Sequence, residues 1–176
     1  CYFLKMLMQQ RKGIRTDQIG QGKVGFVKFV EVTMKIATLL VPAAEMISIL
    51  LNTTCFLALF RICGAVIGAL GAAVFVTAVV TMRDSWRAGV SKTDKTELVT
   101  DGIYQISRNP AFLGFDLVYI GILLMFFNPW LLAASAFAML MFHLQIVNVE
   151  EDFLLETFGQ EYLAYKKKVN RYIGRK

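Results

Sequence analysis

"NPAFLGFDLVYIGILLMFFNPWLLAASAFAMLMFHLQIV", residues 109 to 147, decides the fold. Asn is favoured at a helix N-cap and Pro at the first helical position, so Asn109 and Pro110 read as the start of a helix. Two apolar runs follow, 110 to 127 and 130 to 147, joined at Asn128, Pro129 and Trp130. About 18 mostly apolar residues suffice to cross a bilayer core as a helix. The stretch therefore reads as an antiparallel membrane hairpin.

Upstream, two more runs have the length to span: Phe26 to Leu51 and Cys55 to Val80. The first carries Lys28, Glu31, Lys35 and Glu45 and is interrupted by Pro42, which places its membrane part near Val32 to Leu51. A composition of 56% hydrophobic residues with a mean hydropathy of +0.54 does not suit a water-facing surface. Residues 1 to 8, "CYFLKMLM", read as the trailing end of an earlier, truncated helix. A signal peptide is the rival reading, but no small-residue cleavage site follows. The expectation is an all-α, polytopic membrane protein of four complete transmembrane helices, a truncated fifth before them and a cytoplasmic C-terminal helical tail. It forms one domain over residues 1–176, since no soluble linker separates the spans.

The net charge of +6 raises the question of nucleic acid, but the basic residues form no continuous face. All but Lys5, Lys35 and Arg61 fall in three segments, 9 to 28, 82 to 110 and 148 to 176, while the links "NTT" (52 to 54) and "NP" (128 to 129) contain no Lys or Arg. The positive-inside rule puts the three charged segments in the cytoplasm. The charge is a topology signal, and no nucleic-acid partner is expected. Cys1, Cys55 and Cys63 lack paired spacing, so neither a disulfide framework nor a metal site is expected. Gly64 and Gly68, with Gly71 a turn on, form a small-residue step read as close helix packing.

In the hairpin, residues whose numbers sum to about 259 lie at similar depth. Arg108 is then level with Glu151, Asn109 with Glu150, and Asp116 with His143. A cation, an amide and two carboxylates thus converge on one mouth, where a lowered dielectric strengthens their interactions. A carboxylate such as Asp116 inside a span costs about 2.5 to 3.5 kcal/mol on insertion scales, which calls for a partner, and His143 is the candidate. The same arithmetic around Thr53 pairs Glu45 with Arg61 as a structural bridge. Trp86, in "DSWRAG", reads as an interfacial anchor, with closure of the mouth by Trp86 and Arg87 as the other reading.

The final segment, "EEDFLLETFGQEYLAYKKKVNRYIGRK", has an approximate helical stripe at Phe153, Leu154, Phe158, Tyr162 and Tyr165, with Gly159 as a break or close approach. It reads as lying on the membrane with Lys166, Lys167 and Lys168 near anionic headgroups. Folding back over the mouth as a lid is the alternative.

"LVTDGIYQISRNPAFLG" followed, one hairpin later, by "EEDFLLETFGQEYLAYKKKV" resembles the isoprenylcysteine carboxyl methyltransferase group and its relatives among the membrane phospholipid methyltransferases. The resemblance covers residues 82 to 172, the methyltransferase-like catalytic region. It implies an S-adenosyl-L-methionine-dependent enzyme whose cofactor lies in a cytoplasmic pocket between the hairpin mouth and the tail. It also implies a lipophilic substrate that enters from the bilayer. By position, Leu98, Val99, Tyr104, Asn109, Pro110, Ala111 and Phe112 match cofactor-binding positions. Arg108, Glu150 and Glu151 are the catalytic candidates. Arg108 is assigned to a carboxylate of cofactor or substrate, and either Glu to the cofactor's ammonium or to orienting and deprotonating the nucleophile. Tyr104 and Phe112 are assigned to the adenosine.

Two departures from the family pattern stand out. Arg-Asn-Pro replaces the commoner Arg-His-Pro, and Asn109 cannot act as a base. Ile146 stands near the position of an arginine that the prenylcysteine enzymes use for the substrate carboxylate. That departure weighs against a prenylcysteine carboxylate; the resemblance implies a lipophilic acceptor, either a prenylcysteine-type carboxylate or a phospholipid amine. In-line methyl transfer asks chiefly for alignment and exclusion of water, with no metal. Two other readings are an NADPH-dependent reductase of the sterol-reductase kind and a non-enzymatic membrane partner-binding protein.

Overall fold

The computed structural model describes residues 2–11, 17–20, 23–54, 56–87 and 97–176. Their α-helices are α1 (Tyr2–Arg11), α2 (Gly25–Leu50), α3 (Ala58–Met82), α4 (Pro110–Met125), α5 (Pro129–Gln145) and α6 (Glu151–Lys168). No strand forms among the described residues; one isolated antiparallel bridge joins Val169 to Arg175. Cys1 and Cys55, which the sequence reading invoked, lie outside the described residues.

Three helical stretches, Gly25–Leu50, Ala58–Ser85 and Pro129–Lys168, are long and apolar enough to cross a membrane. This is the pattern of a multi-pass integral membrane protein. The expected third span, α4, is apolar but has only 16 residues, about 24 Å at ~1.5 Å per residue. The expected fourth span does not stop at Val147. It passes through a π-helical turn, Ile146–Glu150, directly into α6. Pro42 lies within α2 without ending it. Neighbouring groups in membrane helices tolerate the hydrogen bond a proline removes.

Helix pairing follows side-chain size. Gly64, Gly68 and Gly71 of α3 face Gly114 and Gly121 of α4, where a Cβ on Gly64 would stand 2.5 Å from the Gly121 carbonyl oxygen and one on Gly71 2.7 Å from that of Gly114. Backbones meet here because nothing larger intervenes, as the small-residue step predicts. On the other side, Met34, Ala37 and Val41 of α2 pack against Tyr119 of α4 and Ala138, Met141 and Phe142 of α5. α2 and α5 run antiparallel. Asn128 Nδ2 donates to Ser48 Oγ (2.7 Å) at one end of the pair, and Gln145 Nε2 reaches Glu31 Oε1 (3.5 Å) at the other.

At the Asn128 end the expected Glu45–Arg61 bridge is absent. Arg61 Nε donates to the Met125 carbonyl (3.2 Å), Nη2 to Asn52 Oδ1 (2.5 Å), and its guanidinium lies 5.2 Å over the Phe126 ring. The free carbonyls that end α4 attract the cation. Glu45 is buried on α2 with Oε1 unpartnered.

Candidate functional site

The depth arithmetic correctly pairs Arg108 with Glu151: Nη1 and Oε1 stand 3.1 Å apart, both residues buried. Lys166 Nζ and Arg171 Nε each lie 2.7 Å from Glu151, one on each oxygen. Arg108 in turn donates to Tyr162 Oη (2.6 Å) and to the Val169 carbonyl (3.2 Å). Burial alone would push the Glu151 carboxyl up, but hydrogen bonds from Arg171 and Lys166 and the Arg108 charge outweigh it and hold it down at about 2. All four side chains are thus committed to one another.

This cluster fastens the chain after α6 across the segment before α4. Arg108 N–H donates to the Asn170 carbonyl (3.1 Å), Gly174 N–H to that of Ile106 (2.8 Å), and Tyr165 Oη to that of Tyr104 (2.6 Å). The tail therefore folds back over the mouth, the lid alternative of the sequence reading. Gly159 supplies the bend: its φ of +49° breaks α6, and a Cβ there would meet nothing within 4 Å. It is a break, not a close approach.

Asn109 occupies the N-cap position of α4, yet its side chain does not cap. Nδ2 instead donates to the Arg171 carbonyl (3.1 Å), which ties down the tail. The other positions matched to cofactor binding fall in three adjoining apolar clusters. Val99, Tyr104 and Ala111 surround Trp86; Leu98 packs against Tyr162 and Tyr165; Phe112 sits on Phe142 with ring centroids 5.2 Å apart. Pro110 is fully buried at the start of α4. Trp86 is not an interfacial anchor: it is buried edge-on to Phe75 at 5.9 Å, and its Nε1 donor has no partner among the described residues.

Glu150 takes its place from the π turn, whose wider winding re-aims side chains relative to an α-helix. It lies past the apolar run that closes at Val147. The carboxyl is raised to about 7, first by burial and then by the Glu31 charge, against the opposing effects of a Gln145 hydrogen bond and the Lys23 charge. Burial first, and then the Glu150 charge, raises the Tyr104 hydroxyl. Glu31 itself is buried. It pairs with Lys23 and accepts the Gly20 N–H (2.5 Å) and, more distantly, Gln145 Nε2.

The expected Asp116–His143 pair does not form. His143 Nδ1 meets Tyr172 Oη at 2.6 Å with the two rings stacked, while Asp116 Oδ1 is left unpartnered. A tail residue that no depth rule on the hairpin includes has taken the histidine. Sequence reasoning also missed Lys23, Glu31 and Gln145. Glu31 had one signal, its place among the charges of the α2 run, while Lys23 and Gln145 had none.

The family model for phospholipid methyltransferases matches residues 59–161. Protein-S-isoprenylcysteine O-methyltransferase of Saccharomyces cerevisiae is 42% identical over 72 residues, 41% of this chain and 30% of its own length. The B form of the Arabidopsis thaliana enzyme is 33% identical over 104 residues, 57% and 52% respectively. A solved eukaryotic intramembrane Ras methyltransferase, isoprenylcysteine carboxyl methyltransferase, matches with a TM-score of 0.67 and 25% identity, covering 95% of this chain and 58% of its own. The chain thus spans about a third to three fifths of the relatives it matches. These likenesses give the reductase and non-enzymatic alternatives no support. With more than half of its residues inside the family model, and the matched segment building the mouth described above, the chain belongs to the phospholipid methyltransferase family.

Proposed function

We propose that this protein transfers a methyl group from S-adenosyl-L-methionine to a lipophilic acceptor that enters from the bilayer. α2, α3, α4 and α5 cross the membrane in this reading, and the mouth and tail face the cytoplasm. The single observation that carries it is the folded-back tail. Held by Arg108 and Glu151, it roofs a mouth that Tyr104 and Glu150 share.

The residues present suit the cofactor. Trp86 Nε1 is a buried donor beside apolar walls from Val99, Tyr104 and Ala111, and Gln145 Oε1 is a buried acceptor on α5, both without a partner among the described residues. An adenosyl group has complementary polar edges and a face for stacking. Leu98, Asn109, Pro110 and Phe112 complete its surroundings. When bound, the cofactor supplies an electrophilic methyl on a sulfonium. Glu150 orients the acceptor's nucleophile and takes its proton where it carries one. Arg108 and Glu151 serve by fixing the roof, since each is already satisfied by the other. The acceptor class is a prenylcysteine carboxylate or a phospholipid amine.

Calorimetric titration of S-adenosylmethionine and S-adenosylhomocysteine into detergent-purified protein tests this. It is followed by radiolabel transfer to a farnesylcysteine and to phosphatidylethanolamine vesicles. Binding with transfer to either acceptor, abolished by Glu150→Ala, is the expected result. A folded wild type that binds neither cofactor form overturns the reading.

A further inference from the structure

Glu31 and Lys23 lie outside the segment matched by the family model, yet they converge on Glu150. Glu31 has no solvent-exposed side-chain surface, and Lys23 is mostly buried against it. The link is Gln145, which is fully buried. Its Nε2 lies 3.5 Å from Glu31 Oε1, and its side chain hydrogen-bonds Glu150. Two carboxylates around one amide fix its orientation, because an acceptor oxygen turned toward either would be repelled. Gln145 Oε1 is accordingly the atom left without a partner.

We propose that Glu31 is a positioning residue for Glu150, acting through Gln145, with Lys23 setting the local charge balance. The inference rests on the reading of Glu150 as the group that faces the methyl acceptor. α2, which lies outside the recognisable half of the sequence, then controls where the Glu150 carboxyl points and its charge when the acceptor arrives. Glu31 disfavours a second negative charge on Glu150, and Lys23 favours it. Tyr104, in the loop before α4, lies within reach of the Glu150 charge. From α6 and beyond, Glu151 with Lys166, Arg171 and Arg108 forms the neighbouring balanced cluster. None of these is altered in the test.

The test is an infrared pH titration of the cofactor-free protein in lipid nanodiscs, following the carboxyl band that Glu150→Gln lacks. Removing the Glu31 charge in Glu31→Gln leaves Lys23 facing Glu150, so the band vanishes at lower pH. In Lys23→Met the two carboxyls lose their shared cation and the band persists to higher pH, while Lys23→Arg restores the wild-type midpoint. Shifts of about half a pH unit or more in these opposite directions are the expected result. Any smaller shift, or two shifts of the same sign, overturns the proposal. If Glu31→Gln does not fold, the Lys23 pair decides alone. The readout needs no turnover, so a protein without methyltransferase activity can still pass, and an active one can still fail.

Discussion

Arg108 Nη1 lies 3.1 Å from Glu151 Oε1 and 2.6 Å from Tyr162 Oη, so one guanidinium joins the start of α4 to both halves of α6. The pair is not symmetric. Arg108→Ala leaves Glu151 with Lys166 and Arg171, whereas Glu151→Ala leaves three cations facing one another. Breaking a buried pair costs about 3 to 5 kcal/mol when the survivor is stranded. Glu151→Ala is expected in that range, and Arg108→Ala about half as much. Unfolding in detergent measures both, and an equal loss would show the cluster does not act as drawn.

Acid should loosen the roof before it unfolds the bundle. The folded Glu151 carboxyl, at about 2, lies below its ordinary value of 4.5. A group depressed on folding contributes stability above its unfolded value, and that contribution is lost as pH falls through the folded one. Pepsin cleavage beyond Gly159, at the Tyr162–Leu163 bond, normalised to a peptide of the same sequence, should therefore rise as pH is lowered from 4.5 toward 2. A flat profile would count against Glu151 as the fastening.

Much of the mouth was legible because a helical hairpin obeys a simple depth rule, and Arg108 with Glu151 satisfies it. The same rule failed for His143, since Tyr172 comes from beyond the hairpin and competes for the ring. It failed for Glu45 because Arg61 prefers the carbonyls that end α4. Glu31 was illegible for a different reason. Its meaning depends on α2 lying along α5, a pairing made by Met34, Ala37 and Val41 with Ala138, Met141 and Phe142 that no single run of sequence reveals.

The glycine contacts between α3 and α4 make a graded prediction. A Cβ at Gly64 would stand 2.5 Å from the Gly121 carbonyl oxygen, but at Gly68 the nearest atom would be 3.9 Å away. Gly64→Ala should destabilise by about 1 to 3 kcal/mol through overpacking. Gly68→Ala should be neutral or stabilising by up to about 1 kcal/mol, because alanine is the better helix former. Thermal unfolding in detergent ranks the two, and a costly Gly68→Ala would mean α3 and α4 meet in a different register.

Glu45 and Arg61 provide the sharpest contrast between a depth rule and the fold. Were they a bridge, Glu45→Gln and Arg61→Ala would each destabilise, and a double-mutant cycle would show a coupling well above about 0.5 kcal/mol. In the structure Glu45 Oε1 has no partner, while Arg61 is held by Asn52 and the Met125 carbonyl. Glu45→Gln removes a buried carboxylate from a helix long and apolar enough to cross a membrane, where such a group is a burden, so it should be neutral or stabilising by about 1 kcal/mol. Arg61→Ala should still cost about 1 to 2 kcal/mol, through the two hydrogen bonds it loses. The cycle should give additive energies, and a coupling as large as either single effect would restore the bridge.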